Sequence, residues 1–287
     1  MSIMVGGLDF VFAKNALETL DPLCLLFYKS VVSLALVLLI RLIYESGALF
    51  RKKDIWLFVL CVTLGDILYY YAEYSSLAYL PISIIAIILT FAPLVAIVME
   101  RIIYKRKTNR KMIIGIFICI VGCALIIGFD WNVLFQGRVF GYLLAAICVL
   151  CWNAYNFMTA SLHERYTTVT LTLNQLICVC VMLLPYILLN SPSISEFTPN
   201  LIAQIIYLGL FSNGINLLIM VRALHVLGPT TTTLFSNFMP VSATFFGWLF
   251  LNETISPIQG VGGIIVISAG YIVIKEKGKL SYAVKEA

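Results

Sequence analysis

The chain has 287 residues, of which 61% are hydrophobic and only 11% charged, with a mean hydropathy of +1.00 and a formal charge of +5. A soluble domain of this length cannot hide so much apolar surface. The basic residues sit in short segments between apolar runs rather than on a polar face, which excludes a nucleic-acid binder. What remains is an all-α integral membrane protein.

Hydropathy predicts ten transmembrane helices, over 1–18, 22–44, 55–74, 80–100, 112–129, 139–161, 168–190, 200–222, 230–250 and 257–274. Each is long enough to cross roughly 30 Å of hydrocarbon as a helix. The first run is interrupted by Asp9, Lys14 and Glu18. With no basic segment ahead of it and no small-residue cleavage site after it, it reads as a helix facing the bundle interior rather than a secretory signal. The second span carries Lys29, and the third carries Asp66, Tyr69, Tyr70 and Glu73. Pro93 falls in the fourth, Trp152, Asn153 and Asn156 in the sixth, Asn213 and Asn216 in the eighth. Span nine holds Thr233, Ser236 and Asn237 ahead of Pro240.

Ten crossings place both termini on one side. Of 19 Lys and Arg residues, 16 fall on that side, in loops such as Arg51 to Lys53, Arg101 to Lys111, and the tail beyond Lys275. Only Arg138 falls opposite. The positive-inside rule therefore predicts cytoplasmic termini and very short outer loops. The same features predict a bacterial inner membrane.

Shifting the chain by 147 residues lays Ser76–Pro93 over Ala223–Pro240, with Leu77 on Leu224, Phe91 on Phe238, Pro93 on Pro240, and Gly115 on Gly262. Two five-helix repeats are implied, 1–131 and 132–287. Because five is odd, the second enters the membrane from the opposite side, so the repeats are inverted and suited to alternating access around a central site.

The polar residues within the spans obey the same shift. Asp66 overlays Asn213 and Tyr69 overlays Asn216, each pair at i, i+3 on one helix face. Asn153 and Asn156 repeat that spacing beside Trp152. For each Asn, interhelical bonding competes with solute contact, because such bonds are common and worth about 1 kcal/mol. Asp66 is different: a mid-span carboxylate requires a cation, which suits a substrate amine or a coupled proton. Asp9 is a second such carboxylate. Lys14, Lys29 and Glu73 fall toward the outer ends of their spans, where two readings stand, an ion-paired gate or snorkelling to the interface. Tyr70 shares the Asp66 face and offers its ring for a cation–π contact, while Tyr74 and Tyr79 suit an interfacial belt. Pro93 and Pro240 either kink or break their spans. Arg222 and His225 occupy the inner end of span eight, where an ordinary positive-inside role outweighs gating, with His225 as a proton switch the lesser reading.

All eight cysteines lie within predicted spans, and Cys148 with Cys151 reads as packing rather than redox chemistry. The chain contains no HExxH, no GxSxG and no nucleotide-binding glycine loop, so neither catalysis, cofactor nor metal is expected.

Together, the stretches VGGLDFVFAK and LLFYKSV, SLAYLPISI with TFAP, ALHVLGPTT with NFMP, Trp152, and the closing LFLNETISPIQGVGGIIVISAGYIVI span nearly the whole chain and resemble the EamA-type members of the drug/metabolite transporter superfamily. The resemblance implies secondary transport, often export, of a small organic solute. Lys14 and Lys29 match basic positions often seen in that family. Asp66 and Asp9 favour an amino acid or amine. The alternatives are a sugar or nucleotide-sugar carrier, with Lys14, Lys29 and Arg222 meeting phosphates, or a non-transporting scaffold or lipid-modifying subunit. The expected partners are the solute and membrane lipids, with the protein a monomer or homodimer.

Overall fold

The computed structural model of the chain describes residues 12–13, 15–46, 49–76, 78–105, 109–128, 139–190, 192–193, 196–242, 244–245 and 254–285, with residues 82 and 277–285 as backbone alone. All regular structure among them is helical, and eight stretches are long and apolar enough to cross a bilayer. We number them α1 (Pro22–Tyr44), α2 (Lys52–Ser76), α3 (Ser83–Tyr104), α4 (Arg110–Ile127), α5 (Val139–His163), α6 (Thr168–Asn190) and α7 (Pro199–Leu227). A short helix, α8 (Pro229–Ser236), follows, and α9 runs over Pro257–Lys285, its first part, Pro257–Glu276, being the eighth apolar span. These agree with the hydropathy reading within a few residues. The first predicted span, apart from a short helical stretch at its end, and the far end of the ninth lie outside the described residues.

Local chemistry sets the helix ends. Asp21 Oδ1 accepts from the backbone N–H of Leu23 (2.8 Å) and Cys24 (3.1 Å), and Pro22 supplies a first-turn residue that needs no donor. Thr198 and Pro199 start α7 in the same way. Gly228, at φ 78°, ends α7 in a conformation that side chains disfavour.

Packing divides the chain into two units. The first takes Met1–Ser75 and Ala154–Gly228. In it α1 packs along α6 and across α7, burying Leu25, Leu26, Val179, Leu183 and Leu208. The second takes Ser76–Asn153 and Pro229–Ala287, so the cut passes through α5, and each unit draws on both halves of the chain. Here α4 and α9 lie antiparallel along a seam of small residues: a Cβ on Gly122 would stand 2.9 Å from Gly262 O, and one on Gly262 would stand 2.7 Å from Gly122 O. Without a hydrophobic drive between helices in lipid, such close backbone approach supplies the association. Large apolar side chains such as Leu42, Trp56, Leu189 and Ile264 point outward, as a hydrocarbon solvent requires.

Two kinds of backbone irregularity recur at the 147-residue shift. π-Helical turns replace α-helix at Thr63–Leu68 in α2 and Leu208–Ile215 in α7. The apolar helices of the fourth and ninth predicted spans break at Thr90–Phe91 and Asn237–Phe238, three residues or fewer ahead of Pro93 and Pro240. Proline cannot donate to the preceding turn, so each break falls ahead of it.

Candidate functional site

A π turn carries one extra residue per ring and leaves carbonyls out of the regular ladder, which in a membrane must find other donors. In α2 this turn is built around Gly65. A Cβ there would sit 2.0 Å from Tyr155 Cδ2, so only glycine admits the Tyr155 ring. That ring is fixed from its other end, where its hydroxyl donates to Gln175 Oε1 at 3.3 Å while Gln175 Nε2 donates to Thr159 Oγ1 at 2.9 Å.

Asp66 follows Gly65 directly. It is 7% exposed, and its Oδ2 is buried without a hydrogen-bond partner among the described residues. Lys29 of α1 is the cation whose field reaches it. Lys29 is itself 2% exposed, with Nζ 3.6 Å from the Tyr70 ring centroid and 5.9 Å from that of Tyr74. The ammonium is therefore buried among aromatic faces rather than snorkelling, and it covers the Tyr70 face that the sequence offers to a solute. Tyr69 hydroxyl donates to Glu73 Oε1 at 2.9 Å, and Glu73 is buried.

The matching π turn of α7 faces α1 through glycine as well. A Cβ on Gly209 would meet Val32 Cβ at 2.5 Å, and the resulting close approach lets Ser33 Oγ donate to Gly209 O (2.8 Å) and Lys29 O (2.7 Å). Asn213 Nδ2 donates to Ser30 Oγ at 3.2 Å, Asn156 is buried, and Asn216 is half-buried. The first unit thus brings together Asp66, Tyr69, Tyr70, Glu73 and Lys29, with Asn213 on the neighbouring α7.

Trp152, Asn153 and Asn237 belong to the second unit. Asn153 Nδ2 donates to Ala92 O (3.2 Å) and Val149 O (2.8 Å), and its Oδ1 has no hydrogen-bond partner among the described residues. Asn237 Nδ2 donates to Thr90 O at 3.0 Å, so its side chain satisfies the carbonyl exposed where α3 breaks. Trp152 is half-buried. Asp9 and Lys14 lie outside the described residues.

Sequence reasoning passed over Gln175, Thr159, Tyr155 and Ser30. A polar side chain within an apolar run marks all but Tyr155, but at the 147-residue shift Thr159 meets Phe12 and Ser30 meets Ile177, and only Gln175 meets a residue with a polar group, Tyr28. Thr90, mate of Asn237, was legible from the repeat. Asp54 and Arg165 form an ion pair, and Asp54 also accepts from the Tyr166 hydroxyl at 3.0 Å. Arg51 N–H donates to that hydroxyl at 3.0 Å, and burial pushes the Tyr166 phenol above its usual range.

The sequence matches the EamA-like transporter family over residues 1–128 and 139–275. A protein of Archaeoglobus fulgidus described as an uncharacterized transporter is 23% identical over 95% of this chain and 94% of its own length. A protein of Streptantibioticus cattleyicolor described as a probable terminal-alkyne amino-acid exporter is 22% identical over 79% of this chain and 75% of its own. A solved crystal structure shares the fold, with a TM-score of 0.74 at 16% identity, covering 95% of this chain and 94% of that one.

Proposed function

We propose that this chain, which belongs to the EamA-like transporter family and is an integral multi-pass membrane protein, is a secondary exporter of a small amino acid or amine, with Asp66 as the group that receives the solute ammonium. The observation that carries this reading is the buried Oδ2 of Asp66, which has no hydrogen-bond donor among the described residues, beside a lysine whose ammonium rests on Tyr70. Burying a carboxylate is costly unless a charge answers it. Lys29 answers it in the resting protein, and a solute ammonium has the chemistry to compete for the same carboxylate and ring. Arrival of the solute then frees Lys29; a proton taken up by Asp66 on solute release answers the carboxylate until Lys29 returns to it and the proton leaves on the other side.

Alternating access in this proposal works through ten spans in two inverted repeats, 1–131 and 132–287, with both termini cytoplasmic in a bacterial inner membrane. The paired π turns and paired helix breaks at one common shift support it, since matching irregularities are what a repeated design produces. The amino-acid assignment also draws support from the exporter named among the relatives. Asn156, Asn213 and Asn216 of the first unit add polar contacts to the solute in this scheme. No group is assigned a catalytic role.

The test is counterflow of radiolabelled amino acids and amines in liposomes holding the purified protein. Wild type exchanges a subset of them with a pH-dependent rate, and Asp66→Asn loses both exchange and pH dependence. Exchange by Asp66→Asn with an unchanged pH profile would overturn the assignment.

A further inference from the structure

At the end of the first unit away from Lys29, an open cleft of about 550 Å³ lies between the C-terminal end of α5, the first residues of α6, the last turn of α7 and the end of α1. Its chemistry is unlike that of the Asp66 site. His163 and His225 stack face to face there, centroids 4.1 Å apart and planes inclined by 17°. His163 Nε2 bonds Thr168 Oγ1 at 2.7 Å, and its Nδ1 is buried without a hydrogen-bond partner among the described residues. Arg222 lies one turn before His225 on α7, exposed to the cleft and forming no ion pair among the described residues.

The other charges at the cleft are already engaged or lie at its rim. Glu45 Oε2 accepts from the hydroxyls of Thr167 (2.6 Å) and Thr170 (2.8 Å). Arg165 is paired with Asp54, and the Tyr166 hydroxyl donates to that same carboxylate. Glu164 is exposed. A guanidinium and an imidazole are left presented on one helix face, next to the start of α6, whose dipole also favours negative charge.

We infer that this cleft is an oxyanion site, in which Arg222 and His225 hold a carboxylate or phosphate group and His163 backs the His225 ring. Two stacked imidazoles repel when both are charged, unless a counter-anion lies against them. Proton uptake by the pair and anion binding therefore reinforce each other. The site stands apart from the Asp66 proposal and does not depend on it.

The test uses the full-length protein in detergent, with thermal unfolding followed as inorganic phosphate, acetate or phosphatidylglycerol is added. Affinity for the effective anion should rise roughly tenfold or more as the pH falls from about 8 to about 5.5. Arg222→Gln and His225→Gln, both at exposed positions, lose the response, whereas Asp66→Asn keeps it. A response to soluble phosphate or acetate identifies a solute anion, and a response to phosphatidylglycerol alone identifies a lipid headgroup; either supports the oxyanion site. No stabilisation by any of the three, a pH-independent response, or one that survives Arg222→Gln would overturn it. Loss of counterflow in Asp66→Asn with the anion response intact separates failure of one site from failure of the other.

Discussion

Replacing Gly65 by alanine provides a graded test of how tightly the Asp66 turn is built. In an ordinary helix that change stabilises by about 1 kcal/mol, because alanine loses less backbone entropy. At Gly65 the added carbon would stand 2.0, 2.3 and 2.5 Å from Tyr155 Cδ2, Cγ and Cβ, far inside carbon–carbon contact. Tyr155 is 2% exposed and tied through Gln175 to Thr159, so its ring has nowhere to turn. Overpacking costs about 1–3 kcal/mol and occasionally more, and with three side-chain carbons this close the cost lies at the upper end of that range, above the helical gain. A net loss of about 1–2 kcal/mol lowers the unfolding midpoint by roughly 2–8 °C. Gly260→Ala is the matched control, since a Cβ there meets nothing within 4 Å. It should hold or raise the midpoint. The assay is thermal unfolding of both variants in one detergent by intrinsic fluorescence. Equal shifts, or a more stable Gly65→Ala, would refute the reasoning.

In the small-residue seam, Gly262→Ala pushes a carbon to 2.7 Å from Gly122 O and 3.1 Å from Ile126 N, backbone atoms that cannot rotate away. A loss of about 2 kcal/mol or more is expected by the same unfolding assay. Lys29→Gln removes the cation near Asp66 and should destabilise by about 3 kcal/mol, with the Lys29→Gln/Asp66→Asn double variant recovering part of that; strict additivity would show that the two do not interact. Asn237→Ala leaves the Thr90 carbonyl without its donor and should cost about 1 kcal/mol. The raised Tyr166 phenol implies that the folded state keeps its proton at pH values where the unfolded chain has lost it. This contribution to stability is full below the ordinary tyrosine pKa and declines as pH rises above it, so Tyr166→Phe should flatten the alkaline limb of a stability–pH curve.

Most of the architecture was legible because each apolar run answers to one dominant constraint, the thickness of hydrocarbon. Pro93 and Pro240 likewise announced the helix breaks, through a donor that proline lacks. The contents of the site were less legible. Lys29 gave no sign of whether it would reach the interface or lie over Tyr70, because a four-carbon stem allows both and only α1 packing decides. Gly65 looked like any small membrane residue until Tyr155 occupied the space above it. Glycines permit π turns without specifying them, and the partners that stabilise those of α2 and α7, such as Ser33, lie far away in sequence. Arg222 and His225 were read as topology signals because neither reveals in sequence that His163 is stacked beneath.

The bond from Asn237 to Thr90 joins residues 147 apart, and that from Asn213 to Ser30 joins residues 183 apart. At a synthesis rate of about 5–20 residues per second, such donors emerge roughly 7 to 40 s after the groups they serve. Since each unit is assembled from both halves of the chain, neither closes while only the first half has entered the bilayer. During that interval the Thr90 carbonyl and the Ser30 hydroxyl must borrow water, lipid headgroups or insertion machinery. Biogenesis is thus the stage at which this protein is most exposed to quality control, and a substitution at Ser30 acts on yield before it acts on the finished carrier.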